Sequence, residues 1–218
     1  MSRISCLVLA LFSLGALGAA GPSDEPPSPF APARTVDGRN LVLLGSGAHK
    51  VDGTKDFDMA LYVDETDARR AFPALAARAG GRTRAKLLAS DHTQSFVVWG
   101  HFTKIAVMHF ARAFDAGGLR ELIKAAFDEE LGERATPELK KSAEAFLALF
   151  DGQLKEGDDL VMRTWEDGRI EVELAGARKS GPQSPKLART IWNAWLGQKP
   201  ISVELRRALV DRIDGLGR

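Results

Sequence analysis

Cysteine is almost absent from this 218-residue chain: the one present, Cys6, sits in an apolar stretch near the start. No thiol follows it, which excludes disulfides, thiolate catalysis and cysteine metal sites from the rest of the chain. Long apolar runs are missing too. The longest, Cys6 to Leu17, falls short of the roughly twenty residues that a membrane-spanning helix needs. Charge of one sign is also lacking: without Arg3 the chain carries 29 basic and 29 acidic side chains. A neutral balance gives no electrostatic reason to expect nucleic acid, whose binding rests on a basic surface. Tyrosine occurs once, as Tyr62, and histidine four times, so few side chains are available for acid-base work.

What is there begins with Arg3, the apolar run, and the small residues Gly18, Ala19 and Ala20. That order is the n-region, h-region and cleavage site of a secretory leader. Cys6 lies within the run, outside any lipoprotein box. The sequence therefore predicts export, periplasmic or secreted, with residues 1–20 as a signal peptide and no stable membrane span after cleavage. Pro22, Pro26, Pro27, Pro29 and Pro32 then mark an extended spacer, assigned to residues 21–37. Residues 38–218 are read as one domain, large enough to bury roughly 70% of its unfolded surface without a metal or disulfide.

Leu41 to Leu44, and Phe57, Met59, Leu61 and Val63 alternating with polar or small neighbours, predict two strands around a turn at Asp52 and Gly53. Ala68, Ala71, Phe72 and Leu75 mark a helix that Pro73 either kinks or begins. Phe96–Trp99 and Ile105–Phe114 read as strands, the second central and covered on both faces. Two amphipathic helices follow, one capped by Asp115 and stopped at Gly132, one opened by Thr136 and Pro137. Asp167-Gly168 predicts a two-residue type I′ hairpin in which Arg163 opposes Val172 on an apolar face. Ser184 and Ser202 cap two last helices. The class is α+β, with a largely antiparallel sheet covered by helices.

Three segments carry a family resemblance. Leu43-Leu44-Gly45-Ser46-Gly47-Ala48-His49-Lys50, followed by a strand ending in Leu61-Tyr62-Val63, resembles the paired opening strands of the chalcone isomerase family. His109 to Asp115 resembles the strand leading into a long helix in its bacterial exported members. Ile191 to Ser202, with Trp195-Leu196-Gly197 and Pro200, resembles their C-terminal segment. The likeness covers about residues 38 to 213. It implies a chalcone isomerase-like fold, and it implies that the true enzymes hold a substrate oxyanion with the arginine of Gly-x-Gly-x-Arg. His49 stands in that place here, and Phe57 where a threonine is expected. An arginine supplies permanent charge and a rigid fork of donors, whereas a neutral imidazole supplies one donor. Since such donors contribute about 3 to 4 kcal/mol each, true chalcone isomerase activity is not expected.

Each candidate residue has a functional and a plain reading. Arg163 is either a clamp for a ligand carboxylate or a side chain whose head reaches water or an acid. Arg112, read on the Met108 and Phe110 face, is either an anion contact or half of a buried ion pair. His49 is a donor or base at a cleft mouth, or an exposed turn residue. Tyr62 reaches a pocket with its hydroxyl or only packs, and His109 reads as a satisfied core histidine. No Gly-x-Ser-x-Gly elbow supports a Ser46 and His49 triad. His92, His101 and His109 lack metal-ligand spacing, so neither a metal nor a cofactor is expected.

The leading expectation is noncatalytic binding of a small apolar ligand with an anionic end, as in a fatty acid, through His49, Arg112, Arg163 and Tyr62. The resemblance permits it, since some family members bind fatty acids. A rival is an intramolecular lyase or isomerase acting on a phenolic or enone substrate, with His49 as acid or donor and Tyr62 as second donor. A third is an envelope interaction protein whose cleft is filled by its own side chains.

Overall fold

The structure, a computed structural model, describes residues 30–132 and 135–218. The segment expected to be a signal peptide, residues 1–20, and most of the expected spacer lie outside the described residues. In chain order the elements are β1 (Ala33–Val36), β2 (Arg39–Val51), β3 (Thr54–Asp64), α1 (Glu65–Arg78), α2 (Arg84–Leu88), α3 (His92–Trp99), β4 (Lys104–Phe110) and β5 (Phe114–Asp115). Then come α4 (Ala116–Leu131), α5 (Pro137–Leu147), β6 (Gln153–Leu154), β7 (Asp159–Thr164), β8 (Ile170–Leu174), β9 (Ala177–Ser180), α6 (Pro185–Leu196) and α7 (Val203–Ala208), with a final 3-10 turn at Ile213–Gly217. β1 occupies the end of the stretch read as spacer and pairs with β2.

Seven strands form one antiparallel sheet in the order β1-β2-β3-β4-β7-β8-β9. The fold is α+β, a largely antiparallel sheet covered by helices. Alternation decides which side chains meet the helices. Phe57, Met59, Leu61 and Val63 of β3, with Ala106, Met108 and Phe110 of β4 and Leu160 and Met162 of β7, join the main core with the helical stripes. Ala60, Tyr62, Ile105 and Val107 face the other way, in a smaller cluster with Leu41 and Leu43. The expected caps hold: Asp115, Thr136, Ser184 and Ser202 each accept from a backbone N–H in the first turn. α1 runs through Pro73 unbroken.

Three sequence expectations are corrected. Phe96–Trp99 is the last turn of α3, not a strand, because a four-residue apolar run fits either period. Arg112 is not on the central strand, which ends at Phe110 and gives way to a bend. The hairpin is not type I′: Gly168 alone takes a left-handed φ of 81°, and its N–H closes a four-residue turn onto the Trp165 carbonyl at 3.0 Å. That is a type I turn followed by a glycine bulge. The pairing slips by one residue, so Arg163 opposes Glu171 and leaves the core face to Met162 and Thr164.

Candidate functional site

Asp56 organises one end of the sheet. The β2–β3 ladder pairs His49 with Phe57 and Lys50 with Lys55, so Asp56 is the extra residue of a bulge. A bulge re-aims a side chain, and this one turns the Asp56 carboxylate inward, to 2% exposure. It accepts from Arg112 Nε at 2.7 Å and lies 3.3 Å from His49 Nδ1. The Ala111 N–H donates to the Asp56 carbonyl at 2.9 Å, which ties the loop carrying Arg112 to β3. His49 is buried, not exposed on a turn, and its ring stacks on Phe57 at 4.8 Å. Arg112 is half exposed and lies over Phe114.

From that polar cluster, aromatic rings run inward. Phe57 meets Phe110 at 5.5 Å and Trp195 at 6.3 Å. Trp195 in turn walls an enclosed space between the sheet and α4–α6 whose lining, including Met108, Phe127, Phe146 and Met162, is wholly apolar. It encloses about 10 Å³, the volume of a single water. Phe127 also walls an outer groove of about 470 Å³ between α4 and α5, whose charged lining is Lys124, Asp128, Lys140 and Glu144. One ring thus separates inner space from groove.

The glycines of the opening motif have a packing cause. A Cβ on Gly45 would lie 2.1 Å from the Ala208 carbonyl oxygen, and one on Gly47 would lie 2.5 Å from Ala208 Cβ. They let α7 sit directly on β2, and the Arg212 N–H donates to the Leu44 carbonyl at 2.7 Å. A groove of about 870 Å³ follows this contact, but Lys50, Glu204, Arg207 and Asp211 line it, which suits solvent more than an apolar ligand.

The four residues singled out from sequence divide between the two faces. His49 and Arg112 converge on Asp56, whereas Tyr62 and Arg163 belong to the opposite face. Tyr62 is fully buried and donates to the Ala31 carbonyl at 2.8 Å. Burial raises its phenol above the ordinary range, partly offset by Arg34 and Arg212. Arg163, also buried, pairs with Glu171 at 3.1 Å and Glu173 at 2.8 Å, and Arg178 shares both acids. Its Nε has no acceptor among the described residues. His49 and Tyr62 do not converge, so they form no acid and donor pair. His109 is half exposed beside Asp159 at 2.9 Å and is not a core residue.

Sequence reading missed Asp56, because strict alternation places it on the polar side of β3 and only the bulge turns it in. It also missed Lys104, which opens β4 and is buried. Its one sequence signal is a charged residue placed directly before an apolar strand.

Residues 87–211 match the model of the chalcone isomerase-like family, more than half of the chain. No curated protein matches it. Among solved structures the chain is similar to a fatty-acid binding protein of Arabidopsis thaliana, with a TM-score of 0.64 at 12% identity over 84% of this chain and 98% of that one. At that identity the likeness carries the fold. Among the described residues no helix is long and apolar enough to cross a membrane. On the strength of that family match, this chain belongs to the chalcone isomerase-like family.

Proposed function

We propose that this protein binds, without catalysis, a small apolar molecule with an anionic end, of the fatty-acid type. The observation that carries the reading is the wholly apolar space beneath the sheet, joined through Trp195 and Phe57 to the cluster of His49, Asp56 and Arg112. The similar fold of a fatty-acid binding protein supports it. An acyl chain enters by displacing side chains, and the lining suits that: Met108 and Met162 are unbranched and adapt to irregular guests. The α4–α5 groove and Phe127 form the natural path inward. At the other end, the Arg112 guanidinium, with five donors, has donors beyond those that Asp56 engages. In this reading Arg163 and Tyr62 are structural, since on the other face two Arg163 nitrogens already engage Glu171 and Glu173 and the Tyr62 hydroxyl donates to the Ala31 carbonyl.

The test is equilibrium binding of a long-chain fatty acid to delipidated protein. Saturable binding is expected, with Arg112→Gln weakening it by about tenfold, equivalent to ~1.4 kcal/mol. Absence of saturable binding contradicts the reading. We also propose that residues 1–20 direct export. Cell fractionation with sequencing of the mature N-terminus checks this; an uncleaved intracellular product opposes it.

A further inference from the structure

The end of the sheet far from Asp56 holds a second, unlike cleft. It lies between α3, the hairpin turn and α6, is lined by Trp99, Trp165, Trp192, Lys104 and Arg189, and encloses about 30 Å³. Trp99, Gly100, His101 and Glu166 also line an open groove of about 410 Å³ beside it, so the cleft has an approach from solvent. Trp99 is 58% exposed, with the Arg189 guanidinium 5.1 Å from its ring centre.

Lys104 is 6% exposed. Its ammonium donates to the Gly100 carbonyl at 2.7 Å and the Phe102 carbonyl at 3.4 Å, and lies 4.8 Å from the Phe102 ring centre. Among the described residues no carboxylate forms an ion pair with Lys104 or Arg189. Glu166 is 3.8 Å from Arg39. A buried amine without an acid is one that loses its proton readily. Burial first, and the charge of Arg189 second, lower Lys104 to about 7. The groups facing it are Arg189 from α6, His101 from the loop after α3, and Glu166 from the hairpin turn.

We propose that this cleft is a second ligand site, in which the Lys104 amine forms a reversible imine with a small carbonyl acid of the glyoxylate type whose carboxylate rests on Arg189. The Nζ lone pair attacks the carbonyl carbon, forming the C–N bond while the carbonyl pair passes to oxygen, which takes one of the two amine protons. The second amine proton then passes to that hydroxyl, which leaves as water while the nitrogen pair closes the C=N bond. No oxidant or reductant is needed. The neutral amine supplies the nucleophile and Arg189 the permanent, planar anion contact.

The probe is glyoxylate with cyanoborohydride at pH 7, which traps an imine as carboxymethyl-lysine, followed by peptide mapping of the full chain. Lys104 is expected to label at least about tenfold faster than Lys124 or Lys199, whose acidic partners Asp128 and Glu129 raise their pKa values and keep them protonated. Arg189→Gln is expected to slow glyoxylate labelling of Lys104 severalfold more than labelling by uncharged formaldehyde, which slows only because the lost Arg189 charge no longer lowers the amine's pKa. Labelling spread evenly over the lysines, or an unlabelled Lys104, overturns the proposal. Equal slowing of both reagents by Arg189→Gln overturns the carboxylate contact. Fatty-acid binding plays no part in this readout, so the two ideas fail separately.

Discussion

The two ends of β4 place basic side chains in different company. At the Phe110 end, Asp56 gives Arg112 and His49 a carboxylate; at the Lys104 end, the ammonium finds two backbone carbonyls and a second cation nearby. A carboxylate gives a buried donor an ionic acceptor, whereas carbonyls alone leave the desolvation cost of the Lys104 ammonium largely unmet. One end is thus built as a fixed polar anchor and the other as a group that can give up its proton within the physiological range. On the two proposals made above, the first end supplies a contact for an anion and the second a nucleophile for a carbonyl.

The contrast is broken most severely at Asp56. Asp56→Ala leaves buried His49 and half-exposed Arg112 without their acid, and the expected loss is about 2 to 4 kcal/mol in urea unfolding, discounted for the solvent that reaches Arg112. A loss under about 1 kcal/mol would mean that the bulge is not organised by this carboxylate.

Lys104 sharpens the other side. Its folded pKa lies below the unfolded value of 10.5, so between about pH 7 and 10.5 the unfolded chain binds more protons, and stability rises with pH over that window. Below pH 7 both states are protonated and the burial cost is present in full. Lys104→Met should flatten that rise, which amounts to about 1 to 3 kcal/mol after allowance for relaxation, in unfolding curves taken across the window. Parallel curves for the two proteins would contradict it.

A smaller effect is expected at Thr164, whose hydroxyl accepts from Trp192 Nε1 at 2.8 Å opposite Lys104. Thr164→Val should cost about 1 to 2 kcal/mol by stranding a buried indole N–H, read by thermal unfolding with tryptophan fluorescence. The exposed pair of Lys199 and Glu129 should show least: Lys199→Gln is expected to leave the melting temperature unchanged.

Much of the fold was legible because it rests on short-range chemistry. Asp115, Thr136 with Pro137, Ser184 and Ser202 all open helices where capping predicts them, and the alternation from Phe57 to Val63 sorts the two faces of β3. What escaped depends on local deviations with distant causes. Gly168 packs against Pro185, so close that a Cβ would lie 2.3 Å from its nitrogen, and the turn it makes moves the hairpin register by one residue. That slip turned Arg163 from an apparent core cation into an ion pair with Glu171. The bulge at Asp56 is the second such deviation, and it hid the residue that unites His49 with Arg112. Pattern reading supposes an unbroken period, and the site is built where the period breaks.

Ligand entry beneath the sheet is best tested at the methionines. After Met1 the chain has Met59, Met108 and Met162, and the last two line the apolar space while Met59 does not. With methyl-13C methionine and a long-chain fatty acid titrated into delipidated protein, the Met108 and Met162 signals should move together and saturate while Met59 changes less. Unmoved Met108 and Met162 signals under saturating fatty acid would contradict binding in that space.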